Sequence, residues 1–126
     1  MSDEVRVERR DGVQVITIDR PEARNALTRA VAEGVAAAVD ELDADDELRV
    51  GVLTGAGGTF SAGMDLKAFL RGETPAIEGR GLCGITQTPP RKPLVAAVEG
   101  WALAGWGFGE DEVTGLLEAG AVVQTD

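Results

Sequence analysis

The sequence predicts an α/β fold built around a parallel crossover unit, and three observations carry that prediction. An alternating β-hairpin pattern occupies residues 3–19, a helical stripe follows at 31–42, and a short apolar strand-like run, Val50–Leu53, opens into a glycine-rich loop. Strand, long helix, strand is the signature of a crossover that returns parallel to its first strand. The chain has 126 residues, room for one ordinary domain. Apolar residues make up 44% and charged residues 27%, a globular mixture and not a disordered one.

The hairpin is read from Val5 and Val7 alternating with Arg6 and Glu8, then Asp11-Gly12, a favoured two-residue turn. The return strand carries Val13, Val15 and Thr17 on one face and Gln14, Ile16 and Ile18 on the other, so its second half is apolar on both sides and is expected deep in the sheet. Pro21 closes it. Thr28 is the expected N-cap of the next helix, with no capping-box glutamate because position 31 is Val31. Val31, Val35, Val39 and Leu42 lay one apolar stripe along about 15 helical residues. Gly34, on the flank, costs about 1 kcal/mol against alanine unless it permits close packing. The acidic cluster Asp43, Asp45, Asp46 and Glu47 ends the helix in solvent.

A buried strand is expected over Arg49 to Thr54. Gly55, Gly57, Gly58 and Gly63 then permit tight turns, positive φ and close approach of backbone to a ligand. Met64 to Leu70 reads as a short amphipathic helix whose first turn carries Asp65. Strand, glycine loop and helix start together present backbone N–H groups to an oxygen bearing negative charge; a plain surface connection rich in glycine has the same pattern. Residues 71–93 hold many glycines and prolines, with one helical turn expected around Leu82 to Ile85. Leu94 to Val98 is a second buried strand that also runs into glycine, so two backbone loops are expected to face one another as halves of a clamp.

Composition narrows the chemistry. With no histidine there is no Ser-His or Cys-His nucleophile pair and no imidazole metal ligand, so Ser61 has no base. Cys83 stands alone, which excludes an internal disulfide and a multi-cysteine zinc site; it reads as an inert thiol. The net charge of −10 argues against nucleic acid. No run approaches the ~18 apolar residues of a membrane span, and the charged N-terminus is no secretory signal. A soluble, reducing, cytoplasmic setting is the expectation. Trp101 and Trp106 either fill core gaps or line a ligand pocket, Lys67 and Arg24 either meet a ligand or cover the surface, and Asp65 fits capping better than general-base work.

Three segments, ITIDRPEARNAL at 16–27, VLTGAGGTFSAGMDLKAF at 52–69 and PPRKPLVAAVEGWALAG at 89–105, are together similar to the enoyl-CoA hydratase/isomerase superfamily, also called the crotonase fold. The resemblance implies crotonase-like ββα units, here a partial spiral with the C-terminal half missing, and assembly as a trimer or hexamer in the intact family. It implies an acyl-CoA thioester as substrate, within fatty acid metabolism, and reactions through a thioester enolate: hydration, double-bond shift and some cleavages. No cofactor is implied, since coenzyme A is part of the substrate, and no metal. Two backbone donors would form the oxyanion hole, at Met64 and Gly105. Ala23, Arg24 and Ala26 would border the coenzyme A moiety, with Ala62, Leu66 and Lys67 nearby, and Asp65 would shape the loop.

The resemblance covers residues 1–105 as the N-terminal part of such a core and departs after Gly105. Trp106-Gly107-Phe108-Gly109-Glu110 puts Phe108 in register with the family's first catalytic glutamate, and Glu110 two residues late, a rotation of about 200° on a helix. Glu110 is the catalytic candidate if the loop carries an insertion. Residues 106–126 read as a divergent acidic tail with a helix (Val113, Leu116 and Leu117 inward, Gly120 as C-cap) and a short strand from Ala121. Three functions stay open: a hydratase or isomerase, an acyl-CoA binding module without turnover, and an inactive truncated fragment.

Overall fold

The computed structural model of the chain describes residues 4–61, 63, 65–85, 87, 88, 90–99 and 122–125. Strands β1 (Val5–Arg10) and β2 (Val13–Ile18) form the expected hairpin, antiparallel, with Val5 opposite Ile18 and Arg10 opposite Val13. Asp11 and Gly12 both take positive φ, 51° and 83°, the left-handed pair that a tight hairpin turn needs. Helix α1 (Arg29–Ala44) follows. Its N-cap is Thr28, whose Oγ1 accepts from the Val31 N–H at 3.2 Å and donates to Glu4 Oε2 at 3.0 Å. β1, β2 and α1 are one ββα unit.

Strand β3 (Val50–Gly55) lies parallel to β2, and helix α2 (Leu66–Leu70) comes after the glycine loop. Two short strands, β4 (Ala76–Ile77) and β5 (Gly81–Leu82), pair with each other in a separate hairpin. β6 (Leu94–Glu99) is parallel to β3, and β7 (Val122–Thr125) is parallel to β6. The main sheet therefore runs β1-β2-β3-β6-β7, mixed and open, with only the β1–β2 pair antiparallel. Among the described residues it does not close, as a partial spiral of ββα units requires. The strand at Val122 is thus part of the same sheet; the helix expected before it lies outside the described residues.

The core is the face where sheet meets α1. Val31, Val35, Val39 and Leu42, the predicted stripe, are each 2% exposed or less, and the three valines pack with Ile16, Ile18, Leu53, Phe60 and Leu27. Each such side chain removed from water contributes about 1.5–3 kcal/mol before conformational entropy is subtracted. The buried face of β2 is Gln14, Ile16, Ile18. Gln14 is tolerated there because its Nε2 donates to the Ala38 carbonyl at 2.8 Å, although its Oε1 has no partner among the described residues. Gly34 has the second of its two readings. A Cβ there would sit 2.9 Å from Val5 Cγ2, so the glycine lets β1 approach the helix closely.

Three expectations need correction. The helical turn around Leu82 to Ile85 is absent: Gly81 and Gly84 take φ of 84° and 72°, and Cys83 takes 52°, none of which a right-handed helix accepts. The helix expected from Met64 starts at Leu66, with Asp65 outside it as N-cap. α2 is also not amphipathic in the usual inward sense. Only Ala68 is buried, while Leu66, Phe69 and Leu70 are 72%, 53% and 83% exposed.

Cys83 is fully buried, and desolvation pushes its thiol up to about 12. The native protein is therefore expected to be silent toward a disulfide-exchange thiol reagent at neutral pH, and to release one equivalent only when unfolded by denaturant. Rapid native labelling would contradict the burial.

Candidate functional site

The parallel part of the sheet decides where a site can be. β2, β3 and β6 are adjacent and parallel, with Thr17 opposite Thr54, Ile18 opposite Gly55 and Leu53 opposite Ala96. Their carboxyl ends consequently lie on one edge, where the segments that follow β2 and β3 leave the sheet and where β6 ends at Glu99. Ligand sites of parallel sheets form at that edge, because loops from neighbouring strands converge on it.

The first of these loops is held in a strained shape. A single 3₁₀ turn, Pro21–Ala23, ends with Arg24 and Asn25 at φ of 54° and 55°, two successive left-handed residues without glycine. Such backbone costs of order 1 kcal/mol or more per residue and persists only where the surroundings over-determine it. Asn25 supplies the determination. Its Oδ1 accepts from the Arg20 N–H at 2.8 Å, and its Nδ2 donates to the carbonyls of Ala56 at 2.8 Å and Thr59 at 2.7 Å. Its own carbonyl accepts from Ser61 Oγ at 2.8 Å. Asn25 and Ser61 are both fully buried, so every one of these polar atoms is satisfied in a place where an unsatisfied one would be costly.

The second loop is bound to the first. Ser61 Oγ accepts from the Gly63 N–H at 3.0 Å. The Leu27 N–H donates to the Gly63 carbonyl at 2.7 Å, and the Asp65 N–H donates to the Leu27 carbonyl at 3.0 Å. The residues on both sides of position 64 are thereby tied to Leu27. Gly63 has φ of 89°, which demands glycine. At Gly55 the requirement is space: a Cβ would fall 2.3 Å from the carbonyl oxygens of Thr59 and Phe60.

Asp65 joins the loop to α2. Its Oδ1 accepts from the Ala68 N–H at 3.0 Å, and its Oδ2 takes a hydrogen bond from Arg20 Nη1 at 3.1 Å. The Ala68 hydrogen bond, with the Arg20 guanidinium adding to it, holds the carboxyl below its ordinary 3.8. Because the folded value is the lower one, this group adds stability above about pH 4 that is lost as pH falls through the folded value. Asp65→Asn, which keeps a cap, is expected to flatten the stability curve below about pH 4. Denaturant unfolding at stepped pH measures it, and an unchanged slope would show that Asp65 takes no part.

Five of the sequence-derived site residues fall among the described residues, three on the first loop and two on α2. Ala23 and Ala26 are half-buried; Ala26 accepts from Arg20 Nη1 at 2.6 Å through its carbonyl. Arg24 is exposed on the strained turn, and Leu66 and Lys67 are exposed on α2. Ala62, Met64, Gly105 and Glu110 lie outside the described residues. Sequence reasoning missed Arg20, Asn25 and, as a structural group, Ser61. The only local hint was an asparagine between an arginine and an alanine in a loop, since asparagine tolerates left-handed backbone.

Comparison with known proteins places this geometry. A family profile described as enoyl-CoA hydratase/isomerase matches residues 8–109. Enoyl-CoA hydratase EchA19 of Mycobacterium tuberculosis is 42% identical over 110 residues, 79% of this chain and 40% of that protein. Carnitinyl-CoA dehydratase of Salmonella arizonae is 39% identical over 109 residues, 83% of this chain and 41% of that protein. Among solved structures, enoyl-CoA hydratase EchA1 from Mycobacterium marinum superposes with a TM-score of 0.83 at 55% identity, covering 98% of this chain and 46% of the other. The chain spans about two-fifths of the length of these curated relatives and just under half of that solved chain. No helix among the described residues is long and apolar enough to cross a membrane. The profile takes in β2, α1, β3 and β6 with the loops that meet at their carboxyl edge, and on that match the chain belongs to the enoyl-CoA hydratase/isomerase family.

Proposed function

We propose that the chain binds an acyl-CoA thioester at the carboxyl edge of β2, β3 and β6 and polarises its carbonyl with backbone N–H groups of Met64 and Gly105. The observation that carries this is the fixed backbone around position 64. The Gly63 carbonyl accepts from the Leu27 N–H and the Asp65 N–H donates to the Leu27 carbonyl, so the residues on either side of 64 are held against the first loop. Ala23, Arg24, Ala26, Ala62, Leu66 and Lys67 would border the coenzyme A moiety, with Arg24 and Lys67 offering charge to its phosphates.

The chemistry follows from where charge develops. Removing a proton α to a thioester, or adding water across its double bond, gathers negative charge on the carbonyl oxygen. Preoriented N–H dipoles stabilise that oxyanion more than the neutral thioester, which lowers the barrier. Loss of one such donor typically costs about 3 kcal/mol. Hydration also needs a group to deliver a proton and activate water, and Glu110 is the candidate. A second reading, binding without turnover, is favoured by two observations on Glu110: it stands two residues beyond Phe108, and the family match ends at 109.

Loss of enoyl absorbance from crotonyl-CoA, measured beside calorimetric binding of the same compound, tests both. Binding with turnover that Glu110→Gln lowers by about 10²–10⁴ supports the catalytic reading. Binding without turnover supports the second. No binding contradicts the proposal.

A further inference from the structure

We infer that Arg20, with Glu4 behind it, is the positioning residue of the carbonyl-binding loop, a role that rests on the acyl-CoA reading above and extends it to residues outside the proposed contacts. The Arg20 side chain touches both loops and the N-terminal strand approach. Its Nη1 donates to Ala26 O at 2.6 Å and to Asp65 Oδ2 at 3.1 Å, and its Nε lies 3.2 Å from Glu4 Oε1. Glu4 Oε2 in turn takes the hydrogen bond from Thr28 Oγ1 at 3.0 Å, at the start of α1. The Arg20 and Asp65 side chains are each 15% exposed, so the pair is largely screened from water.

The arrangement fixes direction. Asp65 has its N–H on Leu27, one oxygen on the Ala68 N–H and the other on Arg20. The Gly63 carbonyl is on Leu27 as well. Freeing the Asp65 carboxylate from this loop requires Arg20 to release its Oδ2. The same guanidinium holds Ala26 O, which couples the loop proposed for the thioester carbonyl to the loop proposed for coenzyme A. A planar fork with several donors can meet three acceptors in different directions, whereas an ammonium on a flexible stem cannot fix them together. Apolar residues of similar volume often replace a buried ion pair without loss of stability. The polar solution here is therefore better explained by aim, since a donor must be held within about 0.5 Å and 10–20° of its working geometry.

The test uses the full chain and the variants Arg20→Met, Arg20→Lys and Glu4→Gln, with crotonyl-CoA and free coenzyme A as probes. Amide hydrogen exchange without ligand is read first. In Arg20→Met, protection at Gly63 and Asp65 is expected to fall about tenfold or more while the amides of β2 and β3 keep theirs. Unchanged protection at 63 and 65 overturns the inference, whatever the ligands do. Binding is read second. The ratio of crotonyl-CoA to coenzyme A affinity is expected to drop toward one in Arg20→Met and Arg20→Lys, and part of the way in Glu4→Gln, which keeps the contact and loses the charge. A variant that stays folded and keeps the wild-type ratio overturns the inference. If the wild type binds neither probe, the acyl-CoA reading fails, and the exchange data alone still decide whether Arg20 fixes this loop. Should Arg20→Met fail to fold, Arg20→Lys and Glu4→Gln carry the same two readouts.

Discussion

Asn25→Ala is expected to destabilise the fold by about 4 kcal/mol, several of the ordinary 1–3 kcal/mol penalties for buried groups left without partners. The substitution removes the Oδ1 acceptor from the Arg20 N–H and the Nδ2 donors from the Ala56 and Thr59 carbonyls at once. It also asks an alanine to hold φ of 55°, which asparagine tolerates better. A typical domain has only about 5–15 kcal/mol in total, so the variant should unfold at a much lower urea concentration. A loss below about 1 kcal/mol would mean that water replaces the side chain and that the turn is not determined by it.

Gly55→Ala is the second large effect, and it arises at the same junction by a different cause. The new Cβ would lie 2.3 Å from the oxygens of Thr59 and Phe60 and 2.8 Å from Asn25 Nδ2. Two of those atoms are backbone and cannot swing aside, so the turn after β3 must move and take the Asn25 hydrogen bonds with it. Overpacking of this kind costs about 1–3 kcal/mol and more where backbone is the obstacle; about 3 kcal/mol is expected. Gly58→Ala is the control. It meets nothing within 4 Å and has φ of 82°, so only the left-handed penalty of about 1–2 kcal/mol should appear. Because Gly55 and Asn25 act on one set of hydrogen bonds, the double variant should lose less than the sum of the singles, and a urea-denaturation cycle measures the difference. Strict additivity would show the two residues to be independent.

Much of the fold was legible because its signals are local. The Asp11-Gly12 turn, the Thr28 cap and the Val31-Val35-Val39-Leu42 stripe each lie within a few residues of what they specify, and each stands where the sequence predicts it. The loop that holds the candidate site was legible only in part. Gly55 and Gly63 could be read as sites of close approach and positive φ, and Asp65 as a cap. The roles of Asn25, Ser61 and Arg20 could not, because the hydrogen bonds that join the two loops pair residues 31 to 45 apart and no periodicity encodes such pairings. Arg20 in particular reads in the sequence as one of 12 lysines and arginines, most of which serve the surface. The helical turn expected at 82–85 fails because the backbone is left-handed at Gly81, Cys83 and Gly84. The outward-facing Leu66, Phe69 and Leu70 show a further limit, since apolar spacing reports a helix face without saying what covers it.

The central claim is that the fixed backbone around position 64 meets the carbonyl of an acyl-CoA. A two-dimensional amide NMR titration of the whole chain, first with coenzyme A and then with crotonyl-CoA, tests it most directly. The amides of Ala23, Arg24 and Ala26 are expected to shift with both compounds, and those of Met64 and Gly105 only with the one that carries a thioester. Amides at 64 and 105 that ignore crotonyl-CoA, or that respond equally to coenzyme A alone, would contradict it.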